Sequence, residues 1–315
     1  MKPHVVIRLG TRSSPLALAQ AAAVAEGLRR LSAEVEIVPM KTEGDRLFGA
    51  RLAEVGGKGL FVRELEEALA EGAIDAAVHS LKDLPAEQPD GLALAAFPER
   101  EDPRDVVVTP GGGSLEDLPK AAVVGTSSLR RRAFALAIRP DLVVEPIRGN
   151  VDTRLRKLST GACDALILAA AGLSRLGLHP AHVTPLAPDR FVPAVGQGIL
   201  GIEVRRDDGS TMRLVHALDH TETRTCALAE RAFLRRLGAS CTTPMAGHAV
   251  VSRSGVGARL TMTAVVASED GRRILRAEAA GAPEDAERLG RGLAERLLEQ
   301  GAASVTALNP GRWPS

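Results

Sequence analysis

The stretch "RLGTRSSPLALA", residues 8–19, returns in altered form as "VVGTSSLRRRAFALA" at residues 123–137. Each reads as the end of a strand, a Gly-Thr turn, a pair of serines and the start of an alanine-rich helix. A second pair follows in the same order: "EGAIDAAVHSLKDLP" at 71–85 is echoed by "TGACDALILAAAGLSRLG" at 160–177. Two echoes in one order predict two similarly folded α/β domains within one chain.

Working outward, residues 5–11 read as a strand and 13–31 as a helix with Ser14 as N-cap and Pro15 in its first turn. Residues 34–40 read as the next strand, 60–72 as a helix and 73–80 as a strand. This βαβ rhythm predicts parallel sheets covered by helices. The Pro-, Gly- and charge-rich "PEREDPRDVVVTPGGG", 98–113, marks a boundary. The apolar "GILGIEV", 198–204, reads as a strand that returns the chain to the first domain, a double crossing able to act as a hinge. From about residue 220 the pattern changes to a helix at 221–237, three strands at hairpin spacing and an amphipathic helix at 283–301, a small α+β domain. The expected division is 1–100 with 198–218, then 101–197, then 219–315.

Composition narrows the function. The 315 residues carry a net charge of +1, are 2% aromatic and lack Tyr, so no platform for stacking bases can be assembled and a general nucleic-acid binder is excluded. No apolar run reaches membrane length, and Met1 leads directly into the first strand, which predicts a cytosolic protein without a membrane partner. No large apolar stripe calls for a second copy, so a monomer is expected. Three cysteines without a CxxC suggest neither a disulfide framework nor a metal site. Cys163 and Cys226 have core surroundings, the latter in a helical stripe with Ala229, Phe233 and Leu237; Cys241 instead lies in the polar turn "LGASCTTPMAGHA", 237–249.

Ligands of open α/β sheets sit beyond the carboxyl ends of the strands. There, "GTRSSP" places Arg12, Ser13 and Ser14 at a helix N-terminus, and "GTSSLRRR" places Thr126, Ser127 and Ser128 with Arg130, Arg131 and Arg132 at another. One such start is equally well read as ordinary capping; two, with Arg148, Gly149, Asn150, Arg154 and Arg175 in neighbouring loops, point to a polyanionic ligand. Asp83, beside Lys82, is the conspicuous acid among these loops and reads either as a surface turn residue or as a proton-shuttling carboxylate. Lys58 lies in a glycine-rich segment, but Gly59 stands where a phosphate loop needs Ser or Thr, so 41–59 reads as a mobile lid. From residues alone, a hinged receptor for a small polyanion competes with an enzyme. A thiol hydrolase using Cys241 lacks a partnered base, His248 having no companion motif.

The chain resembles the porphobilinogen deaminase (hydroxymethylbilane synthase) family along essentially its whole length. The matching motifs are "TRSSPLALAQ", "GGKGLFVRELEEAL", "DAAVHSLKDLP", "REDPRDV", "GTSSLRRR", "RGNVDTRL", "AAAGLSRLG", "VGQGILGIE" and the cysteine turn. The resemblance implies two α/β domains like those of periplasmic binding proteins flanking a cleft, plus a small C-terminal α+β domain. It implies a transferase that condenses four porphobilinogen molecules with loss of ammonia, built on a dipyrromethane cofactor joined by a thioether to Cys241. Asp83 is then the catalytic carboxylate. Lys82, Thr126, Ser127, Ser128, Arg130, Arg131 and Arg154 would hold the cofactor, and Arg12, Ser14, Arg148, Arg175 and Gln197 the substrate. Lys58 and Phe61 fall on the family's mobile loop. The chain departs from the family at Ala239 and Ser240, where relatives carry two glycines, and at Glu54, where many carry Lys.

Overall fold

A computed structural model describes residues 6–42, 62–239, 243–255 and 257–308. The chain divides into two units, Met1–Glu101 with Ile199–Arg224, and Asp102–Gly198 with Thr225–Ser315.

In the first unit, β1 (Val6–Arg12) leads into α1 (Pro15–Arg30) and β2 (Glu34–Met40), and α2 (Arg63–Ala70) leads into β3 (Ala76–Ser80) and β4 (Leu92–Ala96). The chain comes back as β10 (Leu200–Arg205), followed by α6 (Gly209–His216). The sheet order is β2-β1-β3-β10-β4, with β1 parallel to both neighbours and β10 antiparallel to β3 and β4. The expected return of "GILGIEV" to the first sheet is thus observed.

The second unit repeats the plan. It contains β5 (Asp105–Val108), β6 (Val123–Gly125), α3 (Leu129–Ile138), β7 (Val143–Glu145), α4 (Val151–Ser159), β8 (Ala165–Ala169), α5 (Ala170–Arg175) and β9 (Val183–Pro185). Its sheet order, β7-β6-β8-β5-β9, superposes on the first in direction as well as position, with β5 as the antiparallel insert. Each sheet therefore receives its antiparallel strand from a crossing of the chain between units.

The sequence echoes have matching physical causes. Asp75 accepts from the Arg8 amide at 2.8 Å while its own amide donates to Arg8 O; Asp164 does the same with Val123 at 2.7 Å. β3 starts at Ala76 rather than at the expected 73 because the amides of Ala73 and Ile74 donate to Ala68 O at the end of α2. Gly10 within β1 and Gly125 at the end of β6 are equivalent in the two echoes, and a Cβ would lie 2.3 Å from Ile74 at the first and 2.6 Å from Ile147 at the second, so the following layer approaches both strands closely.

Helices cover both faces of each sheet. In the first, Val24 and Leu28 of α1 pack on Ile7, Leu9, Val78 and Ile202, while Leu65 and Leu69 of α2 pack on Ala77 and Leu92. In the second, Phe134 of α3 packs on Val124 and Ile167, and Leu158 of α4 packs with Ile147 and Leu166. The rest of this unit is a three-stranded antiparallel sheet, β11 (Met245–Ser254), β12 (Gly257–Ala267) and β13 (Ile274–Gly281), with α7 (Thr221–Leu237) from Thr225 on and α8 (Ala286–Glu299). Cys226, Ala229, Phe233 and Leu237 share one core with Met262, Leu293 and Leu297, as the helical stripe predicts. Cys163 is likewise buried. Among the described residues no helix is long and apolar enough to cross a membrane.

Candidate functional site

In the first unit the carboxyl ends of β1 and β3 and the start of α1 enclose a pocket lined by Arg12, Ser14, Gln20, His79, Ser80 and Asp83, among others. Local bonding explains each position. Ser14 has extended backbone and its Oγ accepts from the Ala17 amide at 3.3 Å, so it caps α1 with Pro15 behind it, as expected. The buried Thr11 donates to Ala17 O at 3.1 Å, tying the strand end to the first helical turn. The Gln20 amide donates to Ser80 Oγ at 2.8 Å and so links α1 to β3.

Asp83 ends a 3-10 turn, Leu81–Asp83. The Leu81 amide donates to Ile199 O at 2.9 Å, and the side chains of Leu81 and Leu84 are buried on either side. With both leucines anchored, the two residues between them point outward: Asp83 is exposed and Lys82 half-buried. The pocket thus joins an acid, a guanidinium and the positive end of a helix, a combination able to hold an anion while exchanging a proton with it.

The corresponding edge of the second unit is richer in cations. Ser128 caps α3, its Oγ accepting from the Arg131 amide at 3.4 Å, while its own amide donates to Thr126 Oγ1 at 3.2 Å. Ser127 donates to Ile147 O at 2.8 Å. Arg130 and Arg131 turn inward onto Asp105, which is 0% exposed; the contacts are 2.7 Å from Arg130 Nη1 and 2.8 Å from Arg131 Nε. Arg130 Nη1 also donates to Val192 O and its guanidinium lies against Phe134 and Phe191, while Arg131 Nη1 donates to Ile167 O. Burial alone would raise the Asp105 carboxyl, but Arg130, Arg131 and a bond from Gln197 hold it down at about 2. Gln197, 1% exposed, donates to Pro103 O at 2.7 Å and sits inside the unit rather than on its surface.

Arg154, on α4, donates to Gly149 O at 2.8 Å. Burial, and then the like charge of Arg131, push its guanidinium below its ordinary value. Two mutually repelling guanidiniums with desolvated heads are a site whose charge an incoming carboxylate would balance. Arg148, half-buried, precedes α4, and Arg175 Nη2 at the end of α5 donates to Gly198 O at 2.7 Å. Arg132 donates to Val144 O at 3.4 Å, away from this group.

The structure therefore brings Arg12, Ser14 and Asp83 together in one unit and Ser128, Arg130, Arg131 and Arg154 together in the other. Cys241 and Ser240 lie outside the described residues, as do Lys58, Phe61, Glu54 and nearly all of the expected lid. Asp105 escaped the sequence reading as a functional residue. Its signal is the "REDPRDV" motif, which marks a domain boundary and a family match without giving Asp105 a role. Among the described residues no group of three His, Cys, Asp or Glu is placed to hold a metal.

The family description "Porphobilinogen deaminase, dipyromethane cofactor binding domain" matches residues 7–213, and "Porphobilinogen deaminase, C-terminal domain" matches 224–299. A porphobilinogen deaminase of Syntrophobacter fumaroxidans is 47% identical over 302 residues, covering 95% of this chain and 96% of its own. Among solved structures, a periplasmic substrate-binding protein of an ABC transporter from Coxiella burnetii is 16% identical, covering 67% of this chain and 91% of its own with a TM-score of 0.41. An arginine-specific periplasmic binding protein of Salmonella typhimurium is also 16% identical, covering 68% and 91% with a TM-score of 0.38.

Proposed function

Because the chain belongs to the porphobilinogen deaminase family, we propose that it condenses four porphobilinogen molecules head to tail, releasing ammonia and yielding hydroxymethylbilane for tetrapyrrole and haem synthesis. The observation that carries this reading to particular residues is the pocket that sets exposed Asp83 beside Arg12 and the capped start of α1.

Each porphobilinogen carries an acetate and a propionate as well as an aminomethyl group. Arg12 and the α1 N-terminus would bind a carboxylate, leaving Asp83 to address the reacting end. Asp83 gives a proton to the departing amine, its carboxylate then stabilises the cation left on the substrate ring, and it takes back the proton that the new bond displaces. One exposed carboxyl on a rigid turn suits this alternation, since it can change protonation state without leaving a charge stranded in the core.

The second unit supplies the grip. The matched domain is one that binds a dipyrromethane cofactor, a group with four carboxylates, and the donor set fits it: Arg154 and Arg131 crowd like charges that a carboxylate would offset. Arg130, Arg131, Arg154, Thr126, Ser127 and Ser128 would hold the group, with Cys241 as its thioether anchor; when bound it supplies the pyrrole carbon from which the chain grows. Arg148, Arg175 and Gln197 would position the lengthening substrate, Gln197 by bracing Asp105 and with it Arg130 and Arg131. We assign these parts to three domains, 1–100 with 198–218, 101–197 and 219–315, and place the protein in the cytosol as a monomer.

Intact-mass spectrometry tests the anchor. Protein from cells that make tetrapyrroles should carry a dipyrrole adduct that disappears in Cys241→Ala. An unmodified wild-type chain would overturn the assignment.

A further inference from the structure

Besides Asp105, the second unit buries a carboxylate that the mechanism above does not use. Glu230, on α7, is 0% exposed, and the neighbouring Cys226, Ala229 and Phe233 of the same helix lie in the core. A carboxylate is stable in such a place only where hydrogen bonds replace the water it gives up. Two backbone amides do this: Gly196 donates to Glu230 Oε2 at 2.6 Å and Ala249 to Oε1 at 2.8 Å. Glu230 and both of these partners belong to the second unit.

The two amides come from segments with different duties. Ala249 is on β11, the edge strand of the C-terminal sheet. Two residues before it, the Gly247 amide donates to Pro193 O at 3.2 Å, so Pro193 O and Glu230 Oε1 satisfy successive amides along that edge. A Cβ on Gly247 would lie 2.9 Å from Val195, which shows how closely residues 193–196 press on β11. Gly196 and Gly198 are left-handed, at φ +72° and +86°, and flank Gln197. Gln197 donates to Pro103 O at 2.7 Å and to Asp105, the carboxylate that holds Arg130 and Arg131. Gly198 O accepts from Arg175 at 2.7 Å.

Resting on the proposed reaction, we infer that Glu230 is a positioning residue for the arginines that grip the cofactor and the growing chain. It ties the turn that presents Gln197 to β11, the strand that begins at Met245, just after Cys241 in sequence. Gln197 passes that restraint to Asp105, and through it to Arg130 and Arg131. The segment that carries the thioether anchor and the guanidiniums that hold the carboxylates thereby keep one spacing while the chain lengthens. The position calls for a carboxylate: both partners are N–H donors, and a glutamine would offer one of them its own NH2 group.

The test measures porphobilinogen consumption by the holoenzymes of the wild type, Glu230→Gln, Gln197→Ala and the double variant, each normalised to adduct-bearing protein by intact mass. Glu230→Gln should raise KM about fivefold or more while kcat changes less than about twofold. On the Gln197→Ala background, where the link is already cut, the same substitution should raise KM less than about twofold. A merely structural Glu230 would lower Tm and leave the KM of adduct-bearing molecules unchanged, or raise it by the same factor on both backgrounds; either result overturns the inference. Amide-resolved hydrogen exchange of the wild-type holoenzyme tests the tie without any variant that might fail to fold. The Gly196 and Ala249 amides should exchange about a hundredfold or more slowly than unstructured amides, and exchange of Gly196 at the unstructured rate would overturn the inference. A wild type that consumes no porphobilinogen would instead overturn the reaction itself.

Discussion

Asp105→Asn isolates the buried charge on which the cation-rich edge of the second unit depends. Asn keeps the shape and can still accept from Gln197, but it removes a negative charge that faces two guanidiniums whose side chains are 4% and 8% exposed. The carboxyl is held at about 2 against an ordinary 3.8, so its surroundings, net of burial, favour the charged form by roughly 2 kcal/mol at neutral pH. Removing one partner of a buried ion pair costs about 3–5 kcal/mol because the remaining charge is stranded. Both routes converge on a loss of about 3 kcal/mol, or about 6–10 °C in Tm. The sign with pH is fixed by the lowered value: the wild-type advantage is complete above about 4 and is lost as pH falls through about 2. Urea unfolding of both proteins at pH 7 and in acid measures the difference directly. A loss below about 1 kcal/mol at pH 7 would refute the claim that Asp105 is what permits Arg130 and Arg131 to be buried.

The paired glycines give a graded test of the repeat. Gly125→Ala drives a Cβ to 2.6 Å from Ile147 and 2.8 Å from Leu166, whereas Gly10→Ala meets a single terminal methyl of Ile74 at 2.3 Å with Leu65 next at 3.2 Å. Both should destabilise, by about 1–3 kcal/mol, with Gly125→Ala the worse; the reverse ranking in urea unfolding would contradict the packing argument. Ser128→Ala should cost about 1 kcal/mol as a lost helix cap, visible in the same assay. Arg154→Gln should leave Tm nearly unchanged yet stall chain growth at particular lengths, seen as accumulated enzyme-bound species by mass spectrometry; equal slowing of every addition would argue against a positioning role.

What could be read from the chain followed local rules. Ser14 and Pro15 mark the start of α1 through capping chemistry that involves only neighbouring residues, and the Gly-Thr-Ser echo reveals two equivalent sheets because each copy solves the same strand-to-helix turn. The carboxyl-end arginines could be found for the same reason, since strand ends and helix starts are visible in sequence. What could not be read depends on distant pairing. His79 and Glu203 lie 124 residues apart and meet only because β10 returns antiparallel between β3 and β4. Asp105 is a boundary residue by composition and a core residue in space, because the short β5 inserts between β8 and β9. In sequence Arg130 and Arg131 stand at a helix start suited to an anion, and only packing shows that both are held from within by Asp105.

The central claim is that Asp83 performs the proton exchanges of each condensation. Ammonia release and hydroxymethylbilane formation from porphobilinogen should be measured for the wild type and for Asp83→Asn, with intact mass recorded for both. The account predicts an Asp83→Asn protein that is folded, carries the dipyrrole adduct and has lost nearly all turnover. Near-normal hydroxymethylbilane formation by that same protein would contradict it.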